Sequence, residues 1–293
     1  MPEILLETTA DRLHVIVAVL AWLGLITYIA QKNGFYSLPE PSNITVRHLF
    51  FRDVVGVFSF FLLVQIVIVP FIAREIMIWM DGSVEAVKLT TIQQGWINVC
   101  SVVSSAAIIT LFCKVLEPRT ASIVLGASKR KFSNDLGFGV LTWIIAYPAV
   151  VLVNQCFAII GHYFEPSAPV DQVAVKYLKL TFQDPSLYWV TVIMITFLVP
   201  CIEETLFRGF LQTWLVQRYG LLKGILGAST IFTLFHYSSS QGWHNIELLA
   251  SLFLLSCYLG FVYVKRRSLW SSIGLHMTFN AVSILLITLS EGS

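Results

Sequence analysis

Glu203, Glu204 and Arg208 stand in one apolar stretch of the chain, His236 closes the next, and His276 and Asn280 share the last. Ionisable side chains in a membrane-spanning helix cost roughly 2.5–3.5 kcal/mol each on insertion scales, so they face a protein-lined or watered cavity and mark function. Together they contain what hydrolysis of a peptide bond needs. A carboxylate can take a proton from water, and polar side chains can donate to the carbonyl oxygen as it becomes anionic.

Helical spacing gives the two carboxylates different work. Glu204 and Arg208 are four residues apart and share a face, with the acid before the base, which is the favourable order. That pair holds Glu204 ionised and fixes the rotation of the helix. Glu203, turned by about 100° from its neighbour, faces elsewhere and suits a general base. Pro200 removes a backbone N–H and presses on the carbonyl of Thr196, so a kink is expected beside the carboxylates. Phe232 and His236 form a second helical pair at i, i+4, and His276 with Asn280 a third; two donors on one face can aim at a developing oxyanion.

The elements that carry these residues must be membrane helices. The 293-residue chain is 56% hydrophobic and only 12% charged, against roughly 45–50% and 25% in soluble domains. Its net charge of +2 and the absence of a basic stripe with interleaved aromatics set nucleic acid aside as a partner. Five cysteines, Cys100, Cys113, Cys156, Cys201 and Cys257, are odd in number and form no CxxC pair, which fits neither a disulfide framework nor a thiolate zinc site. A span needs about 20 mostly apolar residues, which predicts about eight helices at roughly 13–30, 53–73, 97–116, 137–160, 187–213, 221–236, 246–264 and 269–289. With no repeat or linker, they are expected to form one all-α bundle around an intramembrane active-site cavity.

The first helix carries Glu3, Glu7 and Asp11 where a cleaved signal sequence would be basic, so it is expected to be permanent. If the helices alternate, the loops on one side hold Lys32, Arg47, Arg52, Arg119, Lys129, Arg130, Lys131, Arg218, Lys223, Lys265, Arg266 and Arg267. The other side holds Arg12, Arg74, Lys88, Lys176 and Lys179. The bias places the richer side in the cytoplasm and both termini outside it. One tension remains: these boundaries put Glu203 about 15 Å from its helix end at residue 213 and His236 about 22 Å from residue 221. Side chains sharing one water should match, so either helix six begins nearer residue 226 or another boundary is misplaced.

The ordered set Glu-Glu-x-x-x-Arg, Phe-x-x-x-His and His-x-x-x-Asn on successive apolar stretches resembles the CAAX prenyl endopeptidase and bacteriocin-processing (CPBP, or Abi) family of intramembrane proteases. The resemblance runs from about residue 120 to 289 and leaves the helices of residues 1–116 outside the protease core of 117–293. It implies Glu203 as base, His236 as its water-positioning partner, and His276 with Asn280 as the pair that stabilises the tetrahedral intermediate. Glu204 and Arg208 would order the site. It also implies a peptide or membrane-protein substrate, prenylated or not, within a lipid bilayer; compactness points to a bacterial-type inner membrane.

Other chemistries have weaker claims on the same residues. The charges could form a packing network that locks helices together. Glu203, His236 and His276 match the ligand count of a catalytic zinc site, yet the local His-Glu-x-x-His signature is absent, so no cofactor is expected and a divalent metal stays the less favoured alternative. Gly227-Ala228-Ser229-Thr230 offers a serine nucleophile with His276 as base, but lacks a final glycine and leaves the glutamates unexplained; Ser229 reads better as a small packing residue. No pair of intramembrane aspartates exists for an aspartyl mechanism. A non-catalytic scaffold or immunity protein would use the same cavity for binding, and a transporter would show inverted repeats or paired broken helices, which are not seen.

Overall fold

The computed structural model describes residues 2–38, 49–81, 89–116, 118–126, 131–164 and 173–291, and among them there is no strand. The helices are α1 (Pro2–Lys32), α2 (Phe51–Leu63), α3 (Val69–Asp81), α4 (Thr91–Val115), α5 (Pro118–Leu125), α6 (Phe132–Phe164), α7 (Val173–Leu180), α8 (Pro185–Ile193), α9 (Val199–Glu204), α10 (Thr213–Tyr219), α11 (Leu221–Leu234), α12 (His244–Arg266) and α13 (Leu269–Glu291). Wider π-helical turns join α2 to α3 (Val64–Ile68), α8 to α9 (Met194–Leu198) and α9 to α10 (Thr205–Gln212).

Among the described residues, seven helical stretches are long and apolar enough to cross a membrane: 12–32, 51–76, 91–115, 132–161, 185–219, 244–266 and 269–290. The protein is an all-α, polytopic membrane protein. Its apolar side chains lie outside as well as inside, as lipid requires: Val17, Ile66 and Trp79 are all strongly exposed. The expected sixth span is shorter than predicted. α11 has 14 residues, about 21 Å of helix, against a hydrocarbon core of about 30 Å; the alternation behind the charge assignment counted it as a full crossing. Arg47, Lys88, Lys129, Arg130 and the side chains of Glu3, Glu7, Asp11 and Arg119, used in that reading, lie outside the described residues.

Of the two boundaries expected between the fifth and sixth helices, the one at residue 213 moves and the one at 221 holds. The fifth span continues to Tyr219, and α11 starts at Leu221 after Gly220. Gly220 has φ of 85°, a conformation that a side chain would strain, so the reversal is made in a single residue.

Two compact units divide the chain. One comprises Met1–Thr45, Gly126–Asp171 and Leu215–Phe279. Here α6 packs on α1 and α12, and α11 on α12, around Ala146, Leu255, Leu259, Val262, Leu275 and Phe279. Arg266 closes it at one end, with Nε 2.8 Å from Oδ1 of the buried Asp135. The other unit comprises Val46–Leu125, Gln172–Trp214 and Asn280–Ser293. In it the Gln65 amide bridges Ser101 and Ser105, one turn apart on α4, and α8 is started by Asp184, whose carboxylate accepts from the backbone N–H of Ser186 and Leu187. Such a cap satisfies donors that the first turn leaves open.

Candidate active site

The Glu203 helix is irregular on both sides of its carboxylates. Met194–Leu198 is π-helical, and Pro200 follows two residues later. The same order occurs at Val64–Ile68 and Pro70. Proline crowds the carbonyl four residues back, and a turn widened to i→i+5 relieves that crowding without breaking the helix. The kink expected at Pro200 is therefore absorbed as a bulge.

Arg208 Nη1 donates to Glu204 Oε1 at 3.1 Å, and both side chains are buried, at 1% and 0% exposure. Glu203 is only half-buried. Adjacent residues of one sequence thus have different environments, as the helical offset predicts. The π-helical turns of Thr205–Gln212 carry Arg208, and Thr213 Oγ1 reaches back to the Arg208 carbonyl at 3.0 Å. Phe207 and Phe210 anchor this segment edge-on against Phe58 and Phe112. Gly209 lies against α5, where an added Cβ would come within 2.7 Å of the Val124 side chain.

Asn280, half-buried on α13, belongs to the same unit. Its Nδ2 donates to the Ile195 carbonyl at 2.8 Å, within the π-helical turn that precedes Pro200.

His236 and His276 fall in the other unit, where Phe232 stands beside both. The Phe232 ring is buried, 4.7 Å from the His236 ring centroid and 6.2 Å from that of His276. His236 lies just beyond α11, and its Nδ1 is 2.9 Å from the Phe232 carbonyl. A carbonyl only accepts, so Nδ1 carries a proton, and in the neutral imidazole Nε2 then presents a lone pair. The loop that follows is tied down by Asn245, which accepts from Ser238 N–H at 3.1 Å and donates to the Ser238 and Gly242 carbonyls at 2.6 and 3.1 Å. Ser229 is buried on α11, with its carbonyl accepting from Thr233 Oγ1 at 2.8 Å.

Two contributors escape the sequence motifs. Ile195 offers a carbonyl and no side-chain signal; Asn245 looks like any loop asparagine. Among the described residues, no group of three or more His, Cys, Asp and Glu side chains is placed to hold a metal ion, and all five cysteines are free.

A family model described as type II CAAX prenyl endopeptidase, Rce1-like, matches residues 185–282. This segment is of the CAAX prenyl endopeptidase family. It runs from the start of α8 into α13 and contains Glu203, Glu204, Arg208, His236, His276 and Asn280. The CAAX-endopeptidase segment leaves α1 to α7 outside it. No curated protein and no solved structure matches the chain.

Proposed function

We propose that this protein is an intramembrane endopeptidase that hydrolyses a peptide bond with a water activated by Glu203. The observation that carries this reading is the division of labour between adjacent carboxylates: Glu204 is buried against Arg208, while Glu203 is half-buried, on a segment matched by a CAAX endopeptidase family model. Glu203 takes a proton from water as the water oxygen attacks the scissile carbonyl carbon. His236 accepts a hydrogen bond from that water at Nε2, the lone pair its own Nδ1–H contact leaves open. The carbonyl oxygen becomes anionic and is stabilised by His276. As the C–N bond breaks, Glu203 returns its proton to the departing amine, leaving a carboxylic acid and an amine.

In this reading no metal takes part in any step, and Glu204 with Arg208 positions the base. The substrate is a peptide or a membrane protein presented at the bilayer, prenylated or not.

The test is cleavage of a fluorescent peptide panel, including a farnesylated C-terminal motif, by purified protein with and without chelator, beside Glu203→Gln. Cleavage that survives chelator and disappears in the variant is the expected result. Chelator-sensitive cleavage would replace the mechanism by a metal-dependent one. A panel left intact by wild type, with Glu203→Gln still functional in cells, would make the protein a binding scaffold.

A further inference from the structure

Pro200 leaves one backbone carbonyl without its helical donor. In the π-helical turn, the Val199 N–H donates to Met194 O, so it is not given to Ile195 O as an α-helix would require. The next donor in the widened pattern, five residues beyond Ile195, is residue 200, and proline has no N–H. A buried or membrane-embedded carbonyl without a partner costs free energy comparable to a lost hydrogen bond. Asn280 supplies that partner: Nδ2 donates to Ile195 O at 2.8 Å, from a residue 85 positions away.

We infer that Asn280 is a positioning residue, whose side chain replaces the backbone N–H missing at Pro200 and so holds the bulged turn that leads into Glu203. Ile195 and Glu203 are eight residues apart on one continuous helical run, so the rotation of the bulge sets the direction of the Glu203 side chain. Asn280 follows His276 by one turn of α13. The amide therefore ties the turn before the base to the last helix, α13. Its role as a positioning residue rests on the protease reading above; its contact with the orphaned carbonyl does not.

The contact makes a specific prediction about coupling. Pro200→Ala restores an N–H at residue 200 and gives Ile195 O a donor within its own helix. In the wild-type background, Asn280→Ala should lower the melting temperature in detergent by about 2–4 °C, the scale of one buried hydrogen bond, and depress kcat more than KM. In the Pro200→Ala background, Asn280→Ala should cost little in either quantity relative to Pro200→Ala alone. Equal melting losses in both backgrounds would overturn the contact, whatever the activity. A kcat loss undiminished by Pro200→Ala would overturn the positioning role and make Asn280 a group that touches the substrate. Should Asn280→Ala fail to fold, recovery of a monodisperse protein in the double variant supports the inference, and failure of both Asn280→Ala and the double variant, with Pro200→Ala folded, overturns it.

Discussion

Arg208 Nη1 and Glu204 Oε1 are 3.1 Å apart and both side chains are buried, whereas Glu203, one residue earlier, is half-buried. A buried charge pair at this spacing gives two adjacent carboxylates different environments. Glu203→Gln keeps volume and hydrogen bonding but removes the base. It should lower the cleavage rate by about 10²–10⁴-fold without changing the melting temperature. A variant that keeps more than a tenth of the wild-type rate would remove Glu203 from the mechanism.

The same pair predicts an asymmetry in stability. Glu204→Gln alone removes the anion from the buried pair and should destabilise by about 3–5 kcal/mol. Combining Glu204→Leu with Arg208→Met removes both charges at similar volume, and replacements of that kind are often neutral. Thermal unfolding of the single and double variants decides the matter: a double variant no more stable than Glu204→Gln would show that the ion pair is not what holds the segment.

The Nδ1–H contact of His236 with the Phe232 carbonyl specifies a tautomer. In ¹⁵N-histidine-labelled protein, one imidazole should show a protonated Nδ1 and a bare Nε2, and this signal should vanish in His236→Ala. That variant should also lose about 10²–10⁴-fold in rate. Finding His236 protonated at Nε2 in the neutral protein would contradict its place as acceptor for the attacking water.

Phe232 is buried beside both imidazoles, so Phe232→Ala opens a space between them. Aromatic-to-alanine changes in cores cost about 3–5 kcal/mol. Phe232→Leu restores most of the volume and should recover most of that stability. Activity is expected to follow stability in this series, measured as kcat/KM against melting temperature; full activity in Phe232→Ala would mean the ring does not set the imidazole positions.

Gly209→Ala tests the seating of the Arg208 segment. The added methyl meets Val124, on α5, where overpacking costs about 1–3 kcal/mol. Val124→Ala in the same chain should recover part of the loss, and an unaltered melting temperature in Gly209→Ala would show that α5 yields freely.

Much of this architecture was legible in the residues because its causes are local. An apolar stretch of about 20 residues has one solution in a bilayer, and seven predicted spans appear close to their expected places. The Glu204–Arg208 pair follows from a spacing of four on a helix. The sixth stretch was apolar enough to resemble a span, and it starts at Leu221 as expected, but the turn at Phe235 and His236 ends it. The fifth ran six residues beyond its apolar signal because Arg218 and the polar residues near it could still extend a helix. The π-helical turns left no signature except the prolines at 70 and 200.

By itself the sequence determined the helices, the faces their charged residues share and the order of the three motifs, since each depends on side chains within a turn or two of one another. The tertiary structure alone decided that Asn280 meets the carbonyl of Ile195 and that one phenylalanine ring stands beside both His236 and His276. Those partners are separated by 85 and by up to 44 residues. Whether such groups meet is set by how helices pack and by which backbone groups are left unpaired, and no period in the sequence records either.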